Sequence, residues 1–307
     1  MKNSLLFGAL SLSVLFACQT PAEQPMEQEQ TVVTANPYDK GYQLYTIREA
    51  LTSPEAIAAS LKETKALGYN KMESFGFMQG TFLGMPLADF EKAVFDAELG
   101  SPSGHYLPMQ LAGDVVGPID TATIPDFLDA AEALNQHWVI IPWMSEAWRN
   151  AEGYGHLVTY LKLLGEAAKE RGMVAAWHNH DFEFQPLHPE DPASPKAYEY
   201  LLSELEGTNV VFEMDVHWVA FAGENPVEWI NNYPGRFPLW HVKDFAADTA
   251  TQIPVGQGVI PWEEIFAAAE TSGLQHYFIE QDFCAADRGI ECLKESIEWA
   301  DQQAYMD

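Results

Sequence analysis

Eight apolar, strand-like runs alternate with helical stretches from about residue 38 to the C-terminus of this 307-residue chain. Strands that alternate with helices are typical of a parallel sheet, and eight such units favour a closed (β/α)8 barrel over an open, doubly wound sheet. An open sheet that binds a dinucleotide would also carry a glycine-rich phosphate loop after its first strand. The nearest candidate, Val255–Gly258, comes late in the chain and lacks a third glycine. The sequence therefore predicts the α/β fold class, as a single TIM barrel.

The first βα unit shows the pattern that the later units repeat. Tyr42–Arg48 alternates between apolar and polar residues as a strand does. Ser53 is a favoured helix N-cap and Pro54 a favoured first helical residue, so a helix is predicted to continue to Leu67 and to stop at Gly68. The other predicted strands are Asn70–Phe75, Gly104–Pro108 (a weak signal), His137–Met144, Met173–His180, Val210–Val216, Phe237–Val242 and His276–Gln281. The other predicted helices are Pro86–Leu99, Ile124–Leu134, Gly155–Arg171, Pro195–Glu206, Pro226–Tyr233, Pro261–Thr271 and Ile290–Gln303.

The composition is strongly acidic, with 45 Asp and Glu against 16 Lys and Arg and a formal net charge of −29. Most of such a surface would repel a phosphate backbone, so nucleic acid is not an expected partner. For the same reason an anionic membrane surface would not attract the folded domain. Three cysteines, Cys18, Cys284 and Cys292, do not make a disulfide framework, and the sequence has no CxxC pair.

The N-terminus has the features of a secretory signal. Lys2 precedes an apolar stretch, Leu5–Phe16, that is too short to span a bilayer comfortably. Ala17 then stands directly before Cys18, and this ending resembles the bacterial lipobox, which implies cleavage before Cys18 and lipid attachment to that cysteine. The alternative is an ordinary signal peptide with an incidental cysteine.

The sequence thus predicts three segments. Residues 1–17 are the predicted lipoprotein signal peptide. Residues 18–37 are rich in Gln, Glu, Pro and Thr, cannot bury a core, and predict a short disordered tether. Residues 38–307 are the predicted catalytic barrel. The expected location is the bacterial cell envelope, with the protein lipid-anchored on the periplasmic side or at the outer membrane.

Two histidines follow the apolar run of the fifth predicted strand. In an extended strand alternate side chains share a face, so Ala176, His178 and His180 would point the same way. A small residue would then lie beneath two imidazoles at the C-terminal end of the strand, which is how a barrel strand would present a metal site. The alternative is that one or both histidines are core or loop residues.

Three later strands end in Asp215, His241 and Glu280. The C-terminal ends of barrel strands share one rim, and carboxylates and imidazoles are costly to bury unpaired. With a histidine of strand five, His178 in preference to His180, they would form a ligand set for one divalent cation. Taken singly, Asp215 could instead cap a following turn and Glu280 could pair with Lys243. Hard carboxylates mixed with imidazoles suit Mn²⁺ first, with Zn²⁺, Co²⁺, Fe²⁺ or Mg²⁺ as alternatives.

Several motifs carry a resemblance to one enzyme superfamily. They are Tyr42–Arg48, Gly68-Tyr69 leading to Glu73, His178–Phe184, Asp215 with Trp218, His241–Asp244, and Val255–Gly258 with Trp262. On these motifs residues 40–305 resemble the divalent-metal-dependent, xylose-isomerase-like TIM barrels known as sugar phosphate isomerases/epimerases. The motifs are specific for the superfamily and weak for the substrate.

The resemblance also implies a metal site and points to a reaction. In the ketose epimerases of this superfamily, Glu, Asp, His and Glu from strands five to eight bind the metal, and the two glutamates move the proton. Asp215, His241 and Glu280 match three of these positions, whereas His178 stands where the epimerases have the first glutamate. The His-Asn-His pattern is more similar to inosose dehydratases and to lyases that act on 3-keto-glycosides.

Four residues are the predicted catalytic groups. A cation at the strand ends would stabilise an enediolate oxygen, and a nearby carboxylate or histidine would take the proton. Glu280 is the expected base, and Lys243 would stabilise developing negative charge. Glu183 could be that base or could orient a ligand. Glu183 or His180 could also supply the general acid for a leaving group.

Four further residues are the predicted substrate contacts. Arg48 and Glu73 would bind sugar hydroxyls, with a buried ion pair as the alternative. His217 and Trp218 follow Asp215 at the rim, and Trp218 could stack on a sugar face, although core packing is the more frequent use of Trp.

The predicted function is that of a divalent-metal-dependent sugar isomerase or epimerase that enolises a carbohydrate carbonyl. A keto-sugar lyase or dehydratase is favoured within that class, because His178 stands in the place of one of the two glutamate bases that an epimerase needs. The alternatives are a non-catalytic, lipid-anchored carbohydrate-binding barrel and an apurinic endonuclease. An endonuclease would need more metal ligands and a basic face, which the charge of −29 does not supply.

Overall fold

Eight parallel strands form the inner wall of a barrel in the computed structural model, which describes residues 38–191, 193–285 and 287–306. The strands are β1 Gly41–Gln43, β2 Lys71–Glu73, β3 Ser103–His105, β4 Trp138–Ile141, β5 Val174–His178, β6 Val210–Asp215, β7 Leu239–Val242 and β8 His276–Ile279. Their order around the wall is β2, β1, β8, β7, β6, β5, β4 and β3. Single parallel bridges from Lys71 to Gly100 and from Ser74 to Gly104 join β2 to the β3 segment, so the barrel is nearly closed. This confirms the predicted α/β TIM barrel.

Helices cover the outside of the barrel. They are α1 Pro54–Ala66, α2 Leu87–Asp96, α3 Ile124–Ala133, α4 Ala151–Glu170, α5 Ala197–Glu204, α6 Val216–Phe221, α7 Pro226–Asn232, α8 Trp262–Phe266, α9 Ala269–Ser272 and α10 Gly289–Ala300. The start of α1 follows the predicted chemistry, since the Ser53 side chain accepts a hydrogen bond from the amide of Ala56 and Pro54 is the first helical residue. None of the helices in the described ranges is long and apolar enough to cross a membrane.

Three predicted elements differ from the structure. β1 ends at Gln43, and Leu44–Ala50 forms a 3-10 helix because the Gln43 side chain accepts a hydrogen bond from the amide of Tyr45 and turns the chain. The prediction of one helix over Pro261–Thr271 is wrong, since this stretch forms the two short helices α8 and α9. β5 ends at His178, so the expectation that His180 continues the strand is also wrong.

Two of the three cysteines are paired in the structure. A disulfide joins Cys284, in the loop after β8, to Cys292 in α10. The sequence did not indicate this pairing, because the spacing of the cysteines does not show that the loop folds back onto the helix. The predicted signal peptide, the tether and Cys18 lie outside the described residues.

An apolar layer closes the inside of the barrel below the site. It consists of Trp138, Ile140, Ala176, Leu239 and Phe278, all of which are buried. Side chains two residues apart on a strand share a face, so the next inward-facing positions on β5, β7 and beyond β8 belong to His178, His241 and Glu280. The polar side chains therefore lie directly above an apolar floor.

Two short additions follow barrel strands. A three-stranded antiparallel sheet of Phe77–Met78, Thr81–Phe82 and Met85–Pro86 follows β2. A two-stranded antiparallel ribbon of Asp244–Phe245 and Gln252–Ile253 follows β7. The ribbon places Gln252 against the rim of the barrel, where it contacts His217 and Asp282.

Candidate metal centre and active site

Three of the predicted metal ligands come together at the C-terminal end of the barrel. One ligand atom from each of Asp215, His241 and Glu280 lies within 4.8 Å of the other two. His241 Nδ1 is 2.6 Å from Glu280 Oε2, and all three side chains are buried. His178 lies beside this group, with its Nε2 3.5 Å from Asp215 Oδ2. Two carboxylates and an imidazole at this spacing are a donor set that fits a divalent cation.

Asp215 has two roles in the structure. Its Oδ1 accepts a hydrogen bond from the amide of Trp218 and so caps α6. This is the capping role that the sequence offered as an alternative to metal binding. Its Oδ2 faces the centre. Burial raises the pKa of Asp215 to about 6, although Lys243 and His241 act in the opposite direction.

Lys243 places an ammonium group between the carboxylates of this centre. Its Nζ is 2.7 Å from Asp215 Oδ2, 2.6 Å from Glu280 Oε2 and 2.9 Å from Asp282 Oδ2, and the side chain is 1% exposed. Burial lowers the pKa of Lys243, but the three carboxylates outweigh it and hold the pKa well above its ordinary value. The position between Asp215 and Glu280 is therefore suited to positive charge, and a metal ion would share these oxygens with Lys243 or displace it.

A second group of polar side chains, the inner cluster, lies deeper in the barrel and consists of Glu73, His105, His178, Glu213 and His241. Both oxygens of Glu73 are engaged, by His105, His241 and other buried side chains. Burial lowers the pKa of His105, but Glu73 and Glu213 outweigh it and raise the pKa to about 9. Burial raises the pKa of Glu73, but His105 and His241 lower it well below its ordinary value. The inner cluster is thus a closely coupled set of acids and imidazoles.

Three residues in or beside the two groups, Glu213, Asp282 and His105, are absent from the predicted site. Glu213 lies two residues before Asp215 on β6 and so shares its face, which was a usable signal. Asp282 stands at the same spacing after Glu280. His105 comes from β3, whose sequence Ser-Gly-His has little strand character.

Aromatic side chains cluster beside Asp215 at the C-terminal end of the barrel. The His180 ring stacks between Phe182, at a centroid distance of 5.4 Å, and Trp218, at 5.5 Å, and the His217 ring lies 4.7 Å from Trp218. His180 Nδ1, His217 Nδ1 and Trp218 Nε1 are buried and have no hydrogen-bond partner among the described residues. These three unpartnered polar atoms are candidates for hydrogen bonds to sugar hydroxyl groups, and the rings are candidates for contact with the face of a sugar.

The network around His217 fixes which of its nitrogens carries the proton. Gln252 Nε2 donates to Asp282 Oδ2 at 2.8 Å, and the same nitrogen lies 3.2 Å from His217 Nε2. Gln252 Oε1 meanwhile accepts from the amide of Asp282. His217 Nε2 is therefore an acceptor, and its Nδ1 carries a proton that is available to a ligand oxygen. Burial lowers the pKa of His217 to about 3, which keeps the ring neutral.

Glu183 positions the chain at the end of strand five. One carboxylate oxygen accepts from Trp177 Nε1 at 3.0 Å and the other from the amide of His180 at 2.9 Å. The second bond turns the chain after His178 and aims the His180 ring at Trp218. Burial raises the pKa of Glu183 to about 8 despite these two donors. Both oxygens are engaged, so the geometry favours orientation of His180 over proton abstraction.

Two further predicted substrate contacts, Arg48 and Glu73, are engaged by other groups of the protein. Arg48 lies over the Tyr45 ring, with its guanidinium carbon 4.2 Å from the ring centroid, and donates to the Tyr45 carbonyl. Glu73 is buried in the inner cluster, below Asp215 and Glu280. Their predicted roles in binding a sugar stay predictions.

The amino-acid sequence of this chain matches a known protein family. Residues 61–303 match the xylose isomerase-like TIM barrel family, and the chain belongs to it. Inosose dehydratases from Clostridium beijerinckii and Geobacillus thermodenitrificans are similar, at 24% identity over 153 residues and 23% over 163 residues. These matches cover 43% and 47% of this chain and 49% and 52% of the relatives, so the chain spans about half the length of the curated relatives it matches.

Solved structures show the same fold. A sugar phosphate isomerase/epimerase from Parabacteroides distasonis superposes with a TM-score of 0.74 at 24% identity, covering 90% of this chain and 98% of that one. The IOLI protein with a binding zinc atom superposes with a TM-score of 0.59 at 14% identity, covering 85% and 95%. In this chain, the Asp215, His241 and Glu280 group offers the donor set that fits a divalent metal ion. The relatives and neighbours support an enzyme at the superfamily level.

Proposed function

We propose that this protein is a divalent-metal-dependent lyase or dehydratase that acts on a keto-sugar or an inosose-like polyol ketone. The observation that carries the proposal is the arrangement of a cation-binding group, Asp215, His241 and Glu280, beneath unpartnered polar atoms on aromatic side chains. The half-length similarity to inosose dehydratases supports the substrate class.

The metal would be held by Asp215, His241 and Glu280, with His178 beside Asp215. When bound there, a divalent cation supplies Lewis acidity that polarises a carbonyl next to the carbon that loses its proton. Lys243 adds a fixed positive charge against Asp215 and Glu280 at 2.7 and 2.6 Å.

Substrate recognition is assigned to the rim. The proton on His217 Nδ1 and the indole N–H of Trp218 are donors without partners in the described part of the chain, and they would bind hydroxyl or carbonyl oxygens. The ring faces of His180 and Trp218 would contact the apolar face of the sugar. Because unpaired buried donors are costly, a ligand that supplies oxygens is strongly preferred over one that does not.

Proton transfer is assigned to Glu280 and His180. Glu280 would accept the proton from the carbon next to the ketone. Burial lowers the pKa of His180 to about 3, so its ring is neutral with one N–H and one lone pair, and its Nδ1 can receive or return a proton. In an elimination, Glu280 takes the α-proton, the bond to the β-oxygen breaks, and the neutral His180 relays that proton to the leaving oxygen, which is released as water or an alcohol and leaves Glu280 ionised again.

His178 favours elimination over epimerisation. An epimerase removes a proton from one face of a carbon and returns one to the other, which needs two bases on opposite sides. Here the strand-five side chain is an imidazole whose Nδ1 faces Glu213 and whose Nε2 faces Asp215, so it is not free to act as the second base.

Solvent deuterium exchange tests these assignments. With a 3-keto-glycoside or an inosose in D2O, the metal-loaded wild type should exchange the α-proton and release the β-substituent. Glu280→Gln should lose both reactions, and His180→Gln should lose release by about 10²-fold or more while retaining part of the exchange. His188→Gln, at an exposed histidine, is the matched control and should behave as wild type. Equal loss of exchange and release in His180→Gln would assign His180 to a different step.

A non-catalytic carbohydrate-binding barrel is the second candidate. Lys243 favours it, because the ammonium already neutralises Asp215 and Glu280 and so could replace a metal. In that case a sugar would bind equally well with and without a chelator, and D2O exchange would be absent for every keto-sugar.

The proposal includes the cell envelope as the location, with a lipid on Cys18. It rests on the lipobox-like Leu15-Phe16-Ala17-Cys18 ending. The Cys284–Cys292 disulfide supports it, since disulfides persist in oxidising compartments.

A further inference from the structure

We propose a second cation site in the barrel interior, below the position between Asp215 and Glu280. Its ligands are His105, His178, Glu213 and His241. The site goes beyond the proposed function, which uses a cation only at the strand ends, and it would take a zinc-like ion.

Three imidazole nitrogens converge on one carboxylate oxygen. Glu213 Oε2 is 2.8 Å from His105 Nε2, 3.0 Å from His178 Nδ1 and 3.2 Å from His241 Nε2. The four ligand atoms all lie within 4.8 Å of one another. In a tetrahedral zinc complex with bonds of about 2.0–2.1 Å, ligand atoms are roughly 3.3–3.4 Å apart. The distances to Glu213 Oε2 need to widen by only a few tenths of an ångström to reach that geometry.

Hydrogen bonds alone account poorly for this packing. His105 Nε2 can carry one proton, yet it lies 2.8 Å from Glu213 Oε2 and 2.9 Å from Glu73 Oε1. His241 faces carboxylates with both nitrogens, Nε2 towards Glu73 and Glu213 and Nδ1 towards Glu280. Each ring nitrogen carries at most one proton, so His105 Nε2 and His241 Nε2 each share a single proton between two carboxylates. A cation held by these nitrogens and Glu213 Oε2 would take the place of the shared protons.

The second oxygen of Glu213 points to the same conclusion. Glu213 is fully buried, and its Oε1 has no hydrogen-bond partner in the described ranges of the chain. A buried carboxylate oxygen without a partner is costly, and it is a further donor atom that a metal could use.

The charge of the interior also favours more than one cation. The two groups together contain five carboxylates, Glu73, Glu213, Asp215, Glu280 and Asp282, and one ammonium, Lys243. Five carboxylates against one ammonium leave four negative charges, which either imidazolium groups or metal ions have to offset. Buried charge that is not paired is strongly destabilising, so this excess has to be compensated within the barrel.

The donor set distinguishes the type of ion. Three imidazoles and a carboxylate suit Zn²⁺ or Co²⁺, whereas Mg²⁺ and Ca²⁺ prefer oxygen ligands. In two of the imidazole ligands, the ring nitrogen that does not face Glu213 lies next to another carboxylate. His178 Nε2 faces Asp215, and His241 Nδ1 faces Glu280. A carboxylate behind a metal-bound imidazole is the usual arrangement that orients such a ligand.

The two sites share His241 but can be separated by mutation. We call Asp215, His241 and Glu280 the upper group, and the four ligands of the proposed second site the inner group. His105 and Glu213 belong only to the inner group, whereas Asp215 and Glu280 belong only to the upper group. His241 would bind an inner ion through Nε2 and an upper ion through Nδ1, and with both ions present it would bridge them after losing both ring protons.

Metal titration of the full-length, chelated protein tests the inference. Wild type should bind two equivalents of Co²⁺, one of which gives the intense visible absorption of tetrahedral coordination. His105→Ala should abolish that absorption and bind one equivalent, and Glu280→Gln should retain the absorption while losing the other equivalent. His156→Ala, on the outer helix α4, is the matched control and should bind as wild type.

Glu213→Gln keeps the side-chain shape and covers the case in which His105→Ala does not fold, which circular dichroism would reveal. It should weaken the tetrahedral equivalent at least tenfold. Unchanged absorption and stoichiometry in folded Glu213→Gln and His105→Ala would overturn the inner site. Binding of two equivalents of Co²⁺ by Glu280→Gln would instead refute the upper site. The titration therefore distinguishes an error in the inner site from an error in the proposed function.

Discussion

Replacing Lys243 by methionine should destabilise the metal-free protein and strengthen metal binding at the same time. The ammonium is 1% exposed and lies 2.6–2.9 Å from carboxylate oxygens of Glu280, Asp215 and Asp282. Methionine fills a similar volume without the charge. The substitution therefore leaves three carboxylates close together without their shared cation.

The size of the effect follows from burial. Removing one partner of a buried ion pair costs about 3–5 kcal/mol because a charge stays behind uncompensated. At about 2–4 °C per kcal/mol for a domain of this size, the melting temperature of chelated Lys243→Met should fall by roughly 6–20 °C. Divalent metal should recover most of this loss, since the ion no longer competes with an internal ammonium. A 100-fold gain in affinity would add about 2.7 kcal/mol of stabilisation at the same metal concentration.

Thermal unfolding with EDTA and with Mn²⁺ or Zn²⁺ measures both effects, and calorimetric titration gives the affinities. Lys162→Met is the matched control, because Lys162 pairs with Glu204 at 3.3 Å on an exposed surface and should contribute at most about 1 kcal/mol. If the same metal ion raises the melting temperature of wild type and Lys243→Met equally, the ion and Lys243 do not share Asp215 and Glu280.

Two further predictions concern Glu183 and the N-terminus. Burial raises the pKa of Glu183 to about 8 from an ordinary 4.5, so its contribution to stability is complete below pH 4.5 and is lost as the pH rises to 8. The stability advantage of wild type over Glu183→Gln, measured by urea unfolding, should thus shrink by up to about 5 kcal/mol across that range, and a constant difference would contradict the argument. Cys18→Ser should leave the protein unprocessed or soluble while wild type partitions with membranes on cell fractionation; equal partitioning would exclude the lipid as the anchor.

The grouping of Asp215, His241 and Glu280 could be predicted, because barrel geometry and the two-residue repeat of a strand determine where these side chains lie. Asp215, His241 and Glu280 each end an apolar run, and parallel strands that close a barrel bring such ends together. The sequence alone gave no reason to separate the upper group from the inner one. That separation depends on His105, which comes from a strand with little strand character, and on Glu213 in the middle of a buried run.

Local hydrogen bonds decided the details that the sequence did not predict. The end of β5 at His178 depends on Glu183, whose carboxylate accepts the His180 amide that a longer strand would have used. The ammonium of Lys243 follows His241 by two residues and so faces the same interior, but its contact with Asp282 depends on the path of the loop after β8. Such contacts between distant segments leave no periodic signal in the sequence.

The most direct measurement is a parallel assay of the metal-reconstituted protein with free ketohexoses, an inosose and 3-keto-glycosides in D2O, followed by NMR. The account predicts deuterium incorporation next to the ketone and release of the β-substituent from the inosose or the 3-keto-glycosides, and the loss of both on chelation. Rapid interconversion of free ketohexose epimers, with the inosose and the 3-keto-glycosides unchanged, would contradict it and would show that His178 does not exclude two-base chemistry.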